Sequence, residues 1–170
     1  MHFKMIIIGK NERCCLNLLE QYREDKEVSY DSENDYWYNP NGRFDWMEIG
    51  GRFCASIKVA SGCEEFSVGD RYFLESDDPY ESKDSSVKLT DGAYVKDILN
   101  IENIGGYGYV DSTGWYDRYD FPNAYYEKYL GDCLTAEEKE QKAQAIFDEG
   151  IRQKISEDKD QYVLVVDIHD

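Results

Sequence analysis

Three places in this chain hold residue types able to do chemistry. The densest is Asn39-Pro40-Asn41-Gly42-Arg43-Phe44-Asp45-Trp46-Met47-Glu48-Ile49-Gly50-Gly51-Arg52-Phe53. Gly50 and Gly51 permit a sharp bend or a close backbone approach. Arg52 follows them, within reach of Asp45 or Glu48, and a planar guanidinium suits bidentate pairing and stacking on Trp46. Two readings fit: a ligand site in which Arg52 grips an anion, or a Gly-Gly bulge locked by an Arg–Asp pair under aromatic rings. The second place is Asp167 and His169. Residues two apart on a strand share a face, so carboxylate and imidazole are candidates to share a metal or a proton. The competing reading is a surface histidine near the last residue. His2 joins them only if the first strand runs beside the last in the matching direction.

The third place is acidic. The chain has 170 residues, 36 acids, 19 Lys and Arg, and a net charge of −17. Two stretches concentrate it. Asp31, Glu33 and Asp35 begin one that continues through Asp45 and Glu48. Glu64, Glu65, Asp70, Glu75, Asp77, Asp78, Glu81 and Asp84 form the other. Duplex DNA carries one charge per roughly 1.7 Å, so seventeen charges match roughly 29 Å of duplex, near the diameter of a domain this size. Such a surface competes with DNA for a basic groove, or is simply solvated. The sign excludes ordinary nucleic-acid and anionic-membrane binding, which need Lys and Arg. Aromatic residues make up 15% of the chain, which excludes a disordered acidic tail.

Enzyme signatures are missing: there is no P-loop, GxSxG or HExxH pattern. With two histidines in the chain, a triad has few possible bases. The sequence therefore favours a binding protein over an enzyme. It implies no cofactor beyond a zinc assembled on Asp167 and His169 or on scattered thiols. Cys14, Cys15, Cys54, Cys63 and Cys133 have no metal-ligand rhythm and read as free thiols of a reducing cytoplasm. The run Met5-Ile6-Ile7-Ile8 is too short for a signal segment or a span.

The elements that must position these residues follow from periodicity. Phe3–Ile8 and Tyr162–Ile168 are near-continuous apolar runs, the pattern of strands buried on both faces. Asn11 caps a helix expected over 12–25, with Cys15, Leu18, Leu19 and Tyr22 as its stripe. Residues 29–42 lose the pattern and read as a loop ending in an Asn39–Gly42 turn. Phe53, Ala55, Ile57 and Val59 alternate as a strand over 52–59, with Phe66–Leu74 as its hairpin partner. Val87–Leu89 and Ala93–Ile98 form a hairpin or a connection. Tyr107–Val110 and Trp115–Tyr119 flank a tight turn. A short helix is expected from Asp120, carrying Tyr125, Tyr126, Tyr129 and Leu130. Thr135 and Glu138 open a longer one with a capping box. The expected fold is α+β, one domain over 1–170 with an acidic, loop-rich insertion around 61–86. Its sheet is mixed or antiparallel, with the terminal strands central and both main helices on one face.

The motif also resembles the NP…WDWY-x-IGGRW signature of an uncharacterised family common in phages, prophages and bacteria. The likeness rests on Asn39-Pro40, Phe44-Asp45-Trp46-Met47 and Ile49-Gly50-Gly51-Arg52-Phe53. It continues in Ala93-Tyr94-Val95-Lys96-Asp97-Ile98, Gly114-Trp115 and Val165-Val166-Asp167-Ile168-His169. Phe44 and Phe53 stand where the signature has tryptophan, and Met47 where it has tyrosine. The resemblance implies a phage association and a bacterial host cytoplasm, but no reaction. Joined to the charge, it leads to an expected inhibitor of a host defence nuclease that fills a basic nucleic-acid channel, a Cas9-type enzyme being the sharpest version. The alternative is a small-ligand or nucleotide-binding protein using Asp45, Trp46 and Arg52.

Overall fold

The structure is a computed structural model that describes residues 1–69, 78–118 and 135–170. The apolar runs at the two ends of the sequence become partners. Strand β1 (His2–Gly9) and strand β11 (Tyr162–His169) pair antiparallel along their whole length, His2 opposite His169 and Gly9 opposite Tyr162. β9 (Gly108–Asp111) lies parallel on the other side of β1 and forms a hairpin with β10 (Gly114–Asp117). The free edge of β11 is shared. β4 (Trp46–Ile49) covers Val166–His169, and β8 (Gly92–Tyr94) covers Tyr162–Leu164. β6 (Phe66–Ser67) completes the sheet beside β8.

Seven described strands thus make a mixed sheet with the terminal strands at its centre, an α+β fold as the sequence implies. Both faces of these strands are buried, so both need a cover. Met5, Ile7, Leu164, Val166 and Ile168 pack with Cys15 and Leu19 of helix α1 (Glu12–Glu20). Ile6, Ile8, Val163 and Val165 pack with Phe147, Ile151 and Ile155 of helix α2 (Ala136–Ser156). The helices therefore lie on opposite faces, not on one as expected. Strand parity is the reason: alternate residues point to opposite sides, and each side carries its own apolar set. Each fully buried Ile or Leu contributes about 1.5–3 kcal/mol.

Local chemistry sets the helix ends. The Asn11 side chain accepts the Cys14 N–H at 2.8 Å, and Thr135 with Glu138 forms the expected capping box. α1 stops at Glu20, short of the expected residue 25. Its exit is strapped by the motif loop: the Asn39 amide donates to the Gln21 and Arg23 carbonyls at 2.9 and 2.8 Å.

Other expectations shift. The irregular stretch 29–42 contains a small antiparallel pair, β2 (Ser29–Asp31) and β3 (Tyr36–Tyr38). The expected strand 52–59 shortens to β5 (Ile57–Ala60), because residues 51–53 turn in a 3-10 helix and Ala55 takes a positive φ of 58°. β5 pairs with β7 (Val87–Thr90), not with the Phe66 strand. β7 and β8 belong to different ladders, so they are a connection and not a hairpin. The helix expected from Asp120 to Leu130, Cys133 and part of the Phe66–Leu74 strand lie outside the described residues. No described helix is long and apolar enough to cross a membrane.

Candidate functional site

On the α2 side of the central strand pair, the apolar face turns polar at one end. Going along β1 and β11, Ile8 and Ile6 stand opposite Val163 and Val165, then Lys4 opposite Asp167, then His2 opposite His169. β4 extends the last two rows, with Glu48 opposite Asp167 and Trp46 opposite His169. Cross-strand partners share a face. The result is one row of His2, His169 and Trp46, with a row of Lys4, Asp167 and Glu48 behind it.

The two histidines of the chain thus become neighbours, with ring centroids 5.1 Å apart and ring planes inclined at 71°. Trp46, 42% exposed, meets His2 edge-on at 6.2 Å. Each imidazole has its own carboxylate. His2 Nδ1 lies 2.9 Å from Asp167, and His169 Nδ1 lies 3.1 Å from Asp45. A carboxylate only accepts, so in each pair Nδ1 carries the proton. Lys4 is half-buried, and desolvation pulls its amine below the usual lysine range, against the opposing fields of Asp148 and Asp91.

Gly50 and Gly51 put the motif to structural use. Both have positive φ, 68° and 48°. A Cβ on Gly50 would lie 2.5 Å from the Asp91 carboxyl, and one on Gly51 would lie 2.5 Å from Asp167. This close approach lets two buried aspartates gather the backbone around the bend. Asp167 accepts the Arg52 N–H at 3.0 Å. Asp91, fully buried, accepts the N–H groups of Ala55 and Gly69 at 2.7 and 2.8 Å and the Tyr80 hydroxyl. Burial pushes the Asp91 carboxyl up, and these hydrogen bonds and Lys4 oppose it. Burial, with the bond to Asp91, pushes the Tyr80 hydroxyl up.

The expected Arg52 pairing is therefore corrected. Asp45 bonds His169, and Arg52 serves through its backbone while its side chain is exposed. Asp45 and Trp46 do stand together at the histidine row. Asp167 and His169 share a face as expected, but each bonds another residue. Among the described residues, no group of three or more His, Cys, Asp or Glu is arranged to hold a metal. The sequence places Asp91 only in the Thr90-Asp91-Gly92 link between Leu89 and Ala93 and gives it no site role. The available signal was a lone acid inside the short-stranded stretch Leu89–Tyr94.

The acids divide into two separately anchored sets. Asp31, Glu33 and Asp35 cap the β2–β3 hairpin, which is joined to the end of α1 through Asn39. Asp31 accepts from the Asn34 side chain and the Glu33 N–H, and these bonds hold its carboxyl below the usual range. Tyr30 stands opposite Trp37, ring centroids 5.3 Å apart, and Tyr36 packs against Tyr38 at 5.6 Å. All four rings are exposed, Trp37 to 55%. Glu64, Glu65, Asp78, Glu81 and Asp84 lie on the connection from β5 to β7 and are exposed. β5 packs Ile57 and Val59 into the α2-side core. Asp70, Glu75 and Asp77 lie outside the described residues.

A cleft of about 630 Å³ opens behind the motif loop, between Arg43, Glu24, Phe3, Tyr107, Trp115 and Asp117. Phe44 is buried beside it and stacks toward Trp115 at 6.3 Å. Compared with family models, curated proteins and solved structures, the chain finds no match in any of the three.

Proposed function

We propose that this chain is a binding protein for a basic macromolecule, docking through its acidic, aromatic hairpin. Residues 27–38 carry Glu27, Asp31, Glu33 and Asp35, no Lys or Arg, and four exposed rings. That combination is the observation that carries the reading. Arginine is the side chain that both sets of groups recognise: its guanidinium pairs with carboxylates and stacks on aromatic faces. Several exposed rings on a small hairpin are more than scattered surface apolarity.

The partner that fits best is a nuclease whose nucleic-acid channel is lined by Arg and Lys. A guide-RNA nuclease of the Cas9 type is the sharpest instance. Filling that channel makes the chain an inhibitor of a host defence system, at work in a bacterial cytoplasm. The test is binding to such a nuclease with DNA as competitor. Displacement by DNA supports the reading, and binding indifferent to DNA refutes channel occupancy.

One arrangement favours a second reading, a small-ligand site. Trp46, Asp45 and the two imidazoles form an open polar row, and the same motif loop walls the 630 Å³ cleft. In this reading Arg52 takes no part through its side chain. Trp46→Ala would abolish ligand binding, whereas Arg52→Ala would leave it unchanged.

A further inference from the structure

We infer that His2 and His169 together form an open binding site for a divalent transition-metal ion, zinc, copper or nickel, coordinated through both Nε2 atoms. The inference rests on three observations. First, the antiparallel register places these two histidines opposite each other, on one face. Second, each Nδ1 is engaged by a carboxylate, Asp167 at 2.9 Å and Asp45 at 3.1 Å. With each Nδ1 turned to a carboxylate, Nε2 is the ring nitrogen left to take a metal. A metal-bound histidine shows this same arrangement, with its other nitrogen donating to a carboxylate or carbonyl.

Third, the spacing fits. Zn–N bonds are about 2.0–2.1 Å. Two imidazoles at a tetrahedral angle on one ion therefore have ring centroids roughly 5 Å apart. The observed separation is 5.1 Å. Imidazole nitrogen suits zinc, copper and nickel and not magnesium or calcium.

The supporting carboxylates differ. Asp167 is 1% exposed and is itself held by the Arg52 N–H, so the His2 ring is rigidly set. Asp45 is exposed, so the His169 ring is held more loosely. With no third protein ligand among the described residues, the other positions on the ion are open to water or to a donor from a partner. Asp45 and Asp167 are positioning residues, not ligands.

The experiment uses the full chain without a purification tag. Zinc, copper(II) or nickel(II) salts are added in a non-coordinating buffer. Binding is read by equilibrium dialysis and, for copper and nickel, by quenching of Trp46 beside His2. One ion per chain is expected, with affinity falling at least about tenfold in His2→Gln and in His169→Gln, and about tenfold in Asp167→Asn. Far-UV circular dichroism checks that each variant is folded. His169→Gln is the decisive one, because that side chain is exposed and its loss spares the core. Ring-proton shifts at both histidines on adding zinc separate this site from thiol binding elsewhere. The inference is overturned if no stoichiometric ion binds, or if folded His169→Gln binds as tightly as the parent.

Discussion

The His2 imidazole and the Asp167 carboxylate meet 2.9 Å apart across the two central strands, with Asp167 1% exposed and also accepting the Arg52 N–H. Removing that carboxylate strands two donors. Asp167→Ala should cost about 3 kcal/mol, measured as the shift in urea midpoint at constant m. Arg52→Ala should cost less than about 0.5 kcal/mol, since its backbone N–H remains and its side chain is exposed. An unfolded Arg52→Ala chain would mean that the guanidinium holds the bend.

Gly50→Ala tests the bend from the other side. The new methyl would meet the Asp91 carboxyl at 2.5 Å, in a backbone with φ of 68°. The carboxyl is held by three donors and cannot step aside without breaking them. The expected loss is about 2–4 kcal/mol, read by thermal and urea unfolding.

These two tests mark what the sequence showed and what it could not. The central strands were legible because Met5–Ile8 and Val163–Val166 are apolar at every position. Their pairing was not, because periodicity says which face a residue takes but not which strand lies beside it. The opposition of His2 and His169 depends on that pairing. The glycine pair was legible as a bend, yet its partners, Asp91 and Asp167, come from distant strands. Asp167 still left a trace: a charge between Val166 and Ile168, inside a strand apolar on both faces, must be satisfied by something. The hairpin 29–38 was read as a loop because exposed rings on both faces give no alternation.

Cys15 gives a prediction in pH. Its thiol lies 3.7 Å from the Ile7 and Tyr162 carbonyls, and burial pushes it up to about 12 from an ordinary value of 9.0. Between those values the folded chain keeps a proton that the unfolded chain has lost. The contribution of this thiol is therefore full below pH 9 and is lost as pH rises toward 12, by about 1.4 kcal/mol per unit. Burial pushes the Tyr162 hydroxyl up as well, which steepens the fall at the alkaline end. Urea midpoints measured from pH 8 upward should show this decline. Cys15→Ala should be less stable at pH 8 and flatter just above pH 9. An equally steep decline in that variant would exclude the thiol as its source.

The hairpin should be separable from the fold. Tyr30 and Trp37 are exposed to 49% and 55% and pack against each other, ring centroids 5.3 Å apart. Tyr30→Ala with Trp37→Ala should change stability by less than about 1 kcal/mol. If the double variant unfolds, the rings are structural.

The central claim is that this hairpin docks the chain onto a basic nucleic-acid channel. Its most direct test is the affinity of the purified chain for a Cas9-type nuclease, measured from about 50 to 200 mM salt, with DNA competitor and with the Tyr30/Trp37 double variant. The account predicts at least a tenfold weakening over that range, displacement by DNA, and loss of binding in the folded variant. No binding, or binding that is unchanged by salt, DNA and the variant, would contradict it.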